Sequence, residues 1–254
     1  MVGDETTSQY NDLVSVVAAV GQRYLPRGWG DLGRQVAIWV GFLLAYQVAR
    51  GMADLSPRKA IENGMWVVEM EQRLSSQLYE LALQQYVMQR DWLDTLATWT
   101  YWNSQFTVLS VTLLWIYTRR HEAFYSFRNA LLLANVLALV GYVLMPTAPP
   151  RLLGLGFIDT HKDGLVQLAA NPYAAMPSIH AADALIVGIV LATVARRWWA
   201  KLLWAIWPAW VFFAVMATGN HFWLDCLAGW AVAVAAMAIV YRRELRGFLE
   251  ARQT

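Results

Sequence analysis

The chain has 254 residues, of which 58% are hydrophobic and only 15% charged, with 14 Trp and a formal net charge of +2. A water-facing domain of this length carries about a quarter charged residues, so much of this surface must face lipid, and the small net charge gives no electrostatic case for a nucleic-acid partner. The single cysteine, Cys226, excludes an intrachain disulfide and any cysteine-cluster metal site.

Met1 to Asn11 carries Asp4 and Glu5 where a secretory signal would be basic, and the apolar stretch Leu13 to Val20 is short, so the N-terminus reads as a peripheral helix. Apolar stretches approaching the ~20 residues that a bilayer requires then recur. The first runs from Val36 to Ala53, interrupted by Gln47 and Arg50, and the second from Thr98 to Tyr117. The third runs from Ala130 to Met145, ending at Pro146, and the fourth starts at Ser178 and ends before Arg196. The fifth covers Leu202 to Ala217 and the sixth Leu224 to Tyr241. Between the first two, Ser56 to Asp94 is amphipathic and mixed in charge, as expected of helices lying along the interface. The expected fold is an all-α membrane protein with six transmembrane helices plus amphipathic interfacial helices. No repeat or low-complexity linker divides it.

Orientation follows from the basic clusters. Arg23, Arg27 and Arg34 precede the first span, Arg119, Arg120 and Arg128 separate the second and third, Arg196, Arg197 and Lys201 separate the fourth and fifth, and Arg242, Arg243, Arg246 and Arg252 follow the sixth. With six spans all four clusters share one side, which predicts a multi-pass protein of the cell membrane with both termini cytoplasmic. Arg50, Arg58, Lys59, Arg73 and Arg90 in the long connection run against this bias.

Three polar groups fall on the opposite side. In Pro146-Thr147-Ala148-Pro149-Pro150-Arg151 the prolines stop the third helix and present Arg151, which could hold a phosphate bidentately or simply snorkel. Met176-Pro177-Ser178-Ile179-His180 heads the fourth helix, where Ser178 and free backbone amides suit an anion and His180 lies within reach, unless the histidine is merely structural. Asn220-His221-Phe222-Trp223-Leu224-Asp225 heads the sixth. There the i, i+4 spacing of His221 and Asp225 puts carboxylate and imidazole on one helix face, with an expected separation of about 3.2 Å. Such a carboxylate fixes the tautomer of an attacking imidazole.

These residues resemble the type 2 phosphatidic acid phosphatase superfamily, and within it the branch of the inositol phosphorylceramide synthases. The resemblance rests on Pro149-Pro150-Arg151-Leu152, Pro177-Ser178-Ile179-His180 and Gly219-Asn220-His221 with Asp225, and covers about Ala97 to Tyr241. It implies a phosphatase-like catalytic core at 97–254, preceded at 1–96 by the peripheral helix, the first transmembrane helix and the interfacial segment. It further implies His221 as the nucleophile that becomes phosphorylated, Asp225 as its orienter, His180 as the acid that protonates the leaving oxygen, and Arg151 with Ser178 as phosphate ligands. Asn220 and Asp183 are candidates for further polar contacts, Asp183 by pairing with His180, by meeting a polar acceptor or by solvating a cleft. Where the broad pattern has Lys, Gly and Ser-Arg, this chain has Leu144, Ile179 and Ala214-Val215. Two phosphate-binding cations are thereby lost, which points to a phosphodiester of lower charge and to transfer.

The expected function is an integral-membrane lipid phosphotransferase or phosphatase working through a phosphohistidine at the extracytoplasmic face, possessing neither metal nor cofactor. Its partners would be the bilayer, a lipid phosphate or phosphodiester, and an alcohol or lipid acceptor of a headgroup such as phosphoinositol. The competing reading is a membrane transporter with a His/Asp proton relay, which predicts polar groups at the bilayer midplane rather than at helix ends. A catalytically dead scaffold fits poorly with intact His180, His221 and Asp225, and an intramembrane zinc protease lacks His-Glu-x-x-His.

Overall fold

Apolar runs of this length can satisfy their backbone groups in lipid only by forming helices, and helices are what the chain forms. The computed structural model describes residues 15–16, 19–21, 23–53, 57–159 and 173–242. The helices are α1 (Gly28–Ala53), α2 (Pro57–Ser75), α3 (Tyr79–Met88), α4 (Asp91–Asn103), α5 (Leu109–Arg119), α6 (His121–Leu144), α7 (Ile179–Val194), α8 (Trp198–Ala217) and α9 (Trp223–Val240). A π-helical turn at Ser104–Val108 joins α4 to α5, and a 3-10 turn at Pro150–Leu152 follows α6. Within the expected peripheral helix, Ser15, Val16, Ala19 and Val20 are helical. Leu13 and the rest of that stretch lie outside the described residues, as do Ser56 and the C-terminal Arg243, Arg246 and Arg252.

Among the described residues, three helices, α6, α8 and α9, are long and apolar enough to cross a membrane by length and composition. The expectation of six is thus met in three. Helix α7 is apolar but has 16 residues, about 24 Å of rise against a hydrocarbon layer of ~30 Å. The first expected span falls within α1, whose apolar run carries Gln47 and Arg50, and the second is divided by the π-turn. The molecule is an all-helical membrane protein.

Helix α7 is the axis of the bundle, packed against α6, α8 and α9, and it buries Ile186, Val187, Val190 and Leu191 among Phe127, Leu131 and Ala233. Two glycines set how closely its neighbours approach. A Cβ on Gly229 of α9 would stand 2.3 Å from the carbonyl oxygen of Ser178, and one on Gly188 would stand 2.7 Å from that of Trp204. Pro208, four residues after Trp204, has no N–H to give that carbonyl, so the small residue fits where the helix ladder is open.

Helices α2 and α3 lie across one end of the bundle and hold the loop after α6. Asn63 Nδ2 donates to the carbonyl of Pro146 at 2.7 Å, Ala148 N to that of Ala60 at 2.9 Å, and Gln84 exchanges two bonds of 2.9 Å with the backbone of Ile158. At the other end Arg119, Arg120, Arg196 and Arg197 line one hollow. There Asp31 accepts from Tyr117 and Tyr125 at 3.0 and 3.1 Å, tying α1 to α5 and α6.

Candidate active site

Three connections meet at the end away from those arginines: the segment after α6, the head of α7 and the turn between α8 and α9. Thr147 N donates to Tyr173 O at 2.8 Å and Ala175 N to Thr147 O at 3.1 Å, so the strand-like segment before α7 is clipped to the one after α6. This clip aims the carbonyl of Ala175 at the third connection.

That third connection turns on Gly219, whose φ of +67° is a left-handed conformation, and a Cβ there would meet Gln84 Nε2 at 2.9 Å. Its carbonyl accepts from Arg151 N at 3.1 Å. His221 follows outside any helix, because α9 begins at Trp223 with Phe222 as its extended N-cap. Helical i, i+4 geometry therefore does not govern the His221–Asp225 pair. The Nδ1 of His221 lies 2.9 Å from the carbonyl oxygen of Ala175 and 3.6 Å from Asp225 Oδ2, beyond the expected 3.2 Å. Asp225 is displaced because its Oδ2 accepts the N–H of Phe222 at 2.8 Å, capping α9.

His180, in the first turn of α7, is stacked on Tyr101 with ring centroids 4.6 Å apart, and its ring lies 5.6 Å from that of His221. Arg151 is nearly buried, with its Nε 3.5 Å from Asp159 Oδ1, and burial draws its pKa below the usual value against the opposing influence of Tyr101 and Asp159. Asn220 is buried, donating to Thr218 Oγ1 at 2.8 Å while its Oδ1 has no hydrogen-bond partner. Arg151, His180, Asn220 and His221 line one cavity of about 170 Å³, together with Tyr101 and, from α1, Tyr46 and Gln47.

Two candidates stand elsewhere. Ser178 is fully buried behind the wall: its hydroxyl caps α7 by accepting from Ala181 N at 3.3 Å, and its N–H holds α7 to α9 by donating to Asp225 O at 2.9 Å. Asp183 turns to α6, where Asn135 Nδ2 donates to its Oδ1 at 2.7 Å.

Two residues were not anticipated from the sequence. Glu71 and Glu80, both fully buried, accept the N–H groups of Leu224 and Trp223 at 3.0 and 2.8 Å, and so cap the helix that follows His221. Their remaining oxygens have no hydrogen-bond partner, and the charge of Glu80 opposes ionisation of Glu71, so that a proton shared between the two would stabilise both. Burial first, and then Glu80, pushes Glu71 up to about 9, and burial likewise raises Glu80. The signal was in α2, where Gly64, Val67, Val68 and Glu71 recur at helical spacing on one buried face: a carboxylate on an apolar stripe is an exception that demands a partner.

The profile of the PAP2 superfamily matches residues 65–239, a range that takes in α3 and the second half of α2. A phosphoinositol dihydroceramide synthase of Bacteroides thetaiotaomicron is 26% identical over 140 residues, which is 46% of this chain and 46% of that protein, so the chain spans about half the length of this curated relative. The crystal structure of Aquifex aeolicus LpxE superposes with a TM-score of 0.52 at 19% identity, covering 64% of this chain and 94% of that one.

Proposed function

The chain belongs to the PAP2 superfamily, and from that premise we propose that it is a membrane enzyme that transfers a phosphoryl-bearing group from a lipid through a phosphohistidine at His221. The observation that carries the reading is the hydrogen bond from His221 Nδ1 to Ala175 O beside His180 and Arg151 in one cavity. With its proton committed to Nδ1, the imidazole keeps its lone pair on Nε2.

In this reading Nε2 of His221 attacks the phosphorus, the bond to the leaving alcohol breaks, and protonated His180 gives that oxygen its proton. Arg151 neutralises the equatorial oxygens. Water or a second alcohol then attacks the phosphohistidine, the phosphorus–nitrogen bond breaks, and His180 takes the proton of the incoming hydroxyl. Asp225, 3.6 Å from Nδ1, stabilises the cationic phosphoimidazole. No resident metal enters these steps.

Transfer of a phosphodiester headgroup fits better than monoester hydrolysis. Leu144, where the superfamily pattern has a cation, is 71% exposed, while Ala214 and Val215 are packed in the core. Among the described residues lining the cavity, Arg151 is the one guanidinium or ammonium group. One permanent cation matches one negative charge. The positions of the basic clusters support an orientation with this end of the bundle on the extracytoplasmic side of the cell membrane and both termini cytoplasmic. Incubation with phosphorus-labelled lipid phosphomonoesters and phosphodiesters, with and without an added long-chain alcohol, tests the reading. Label appearing in a new lipid only from a diester and only with the alcohol supports it, and release of inorganic phosphate from monoesters as the main reaction overturns it.

A further inference from the structure

A second cavity, of about 400 Å³, lies beside the first. The two share Phe42, Leu43, Gln105, Phe106 and Asn135, so they form one continuous wall between α1, the π-turn and α6. Helix α1 packs on α6 rather than on α5, and the second cavity occupies the gap that results. Its lining is apolar and opens outward: Val36, Val40, Phe106 and Leu114 line it and are about half exposed on the face that meets lipid. Asp31 and Tyr117 close the end far from His221.

One carboxylate lines this apolar space. Asp183 is only 3% exposed, and its Oδ2 has no hydrogen-bond partner. Asn135 cannot supply one, because its two N–H bonds go to Leu131 O at 2.9 Å and to Asp183 Oδ1 at 2.7 Å. An unpaired buried carboxyl oxygen costs stability, and an ionisable residue buried in an apolar helix of a membrane bundle is expected to serve a ligand or a pathway. The complement must come from the occupant of the cavity. A carboxylate oxygen needs a donor, and a hydroxyl supplies one.

We propose that the cavity between α1 and α5 is the binding site of a long-chain lipid alcohol, which enters from the bilayer, lays its chain along Trp39 and Leu113, and bonds its hydroxyl region to Asp183 Oδ2. Because Asn135 lines both cavities, the hydroxyl, once released from Asp183, passes along this wall to the site of His180 and His221, where it acts as acceptor. This last role rests on the phosphotransfer reading, whereas the binding site does not.

The test uses the full-length protein in nanodiscs and a long-chain alcohol carrying a diazirine in its chain. Photolysis should label residues of α1 and α5 facing the cavity, such as Trp39 and Leu113. Unlabelled alcohol should compete at least about tenfold better than its methyl ether, the factor that one hydrogen bond to a charged group supplies. In the double variant Asp183→Leu/Asn135→Leu, which removes both polar partners together, that discrimination should disappear while labelling persists. Labelling elsewhere, or equal competition by alcohol and ether in the unmodified protein, overturns the site whether or not the variant folds. If binding stands but label on a phosphoenzyme passes only to water, the acceptor role fails and the site remains.

Discussion

The Nδ1 of His221 sits 2.9 Å from the carbonyl oxygen of Ala175, closer than to any carboxylate oxygen, and this bond decides how much the neighbouring Asp225 can matter. In a catalytic triad the carboxylate both selects the tautomer and stabilises the cation, and its amide replacement costs about 10⁴-fold because the tautomer is lost. Here a backbone carbonyl, which no side-chain substitution deletes, holds the Nδ1 proton. Asp225→Asn retains an oxygen for the Phe222 N–H and removes only the charge beside the phosphoimidazole. We expect the rate of phosphoenzyme formation to fall by about 10- to 100-fold, the range for one interaction with a charged group. A loss near 10⁴-fold in rapid-quench labelling would mean that Asp225, not Ala175, sets the tautomer.

The two histidines should fail differently when replaced. His221→Ala should form no acid-labile, base-stable phosphoenzyme from a phosphorus-labelled lipid. His180→Ala should still form it from an activated nitrophenyl phosphodiester, whose leaving group needs no proton, and should slow most for an alkyl leaving group. Peptide mapping that found the label on His180 would reverse the assignment.

The helices and the cast of the cavity were legible in the sequence because each rests on a local signal. Prolines stop α6 before Arg151, Pro177-Ser178 opens α7 before His180, and Gly219-Asn220-His221 turns into α9. What local signals could not give is which groups each residue meets once the helices pack. Spacing pairs His221 with Asp225, but the carbonyl that holds His221 comes from a residue 46 positions away, delivered by the Thr147 clip. Ser178 reads as an anion ligand until Gly229 lets α9 close over it. Glu71 and Glu80 fall in the amphipathic stretch between the first two apolar runs, and only the docking of α2 and α3 under α9 makes them caps. The six apolar runs give a count of spans, but the π-turn at Ser104–Val108 divides the second run at its polar Asn103-Ser104-Gln105, a break that the run's overall apolar character hides.

Gly219 should tolerate no side chain. Its left-handed φ of +67° costs an L-residue about 1–2 kcal/mol, and a Cβ would stand 2.9 Å from Gln84 Nε2, itself fixed on Ile158. Because the Gly219 carbonyl also accepts the Arg151 N–H, relief of that contact must shift the arginine. Gly219→Ala should lower the melting temperature in detergent and raise KM for the lipid phosphodiester. An unchanged melting temperature together with unchanged KM would show that the turn does not position Arg151.

The carboxyl pair beneath α9 makes stability depend on pH in a defined direction. Burial and the neighbouring Glu80 raise Glu71 from an ordinary 4.5 to about 9, so the folded protein holds this proton more tightly than the unfolded chain does. The resulting stabilisation is fully present below about pH 4.5 and is lost progressively as pH rises through about 9. The melting temperature of the unmodified protein should therefore decline across that window, as its unfolding free energy falls by at most about 1.4 kcal/mol per pH unit, the limit for one proton. Glu71→Gln keeps an oxygen for the Leu224 N–H and offers Glu80 a permanent N–H donor in place of the shared proton. That variant should flatten the decline and be the more stable protein above pH 8. Glu71→Ala, which leaves the Leu224 N–H without its acceptor and Glu80 without its neighbouring carboxyl group, should be less stable than the unmodified protein at every pH. Parallel pH profiles for the unmodified protein and Glu71→Gln, measured by thermal unfolding in detergent, would show that the pair does not share a proton and that the head of α9 is held by two separate carboxylates.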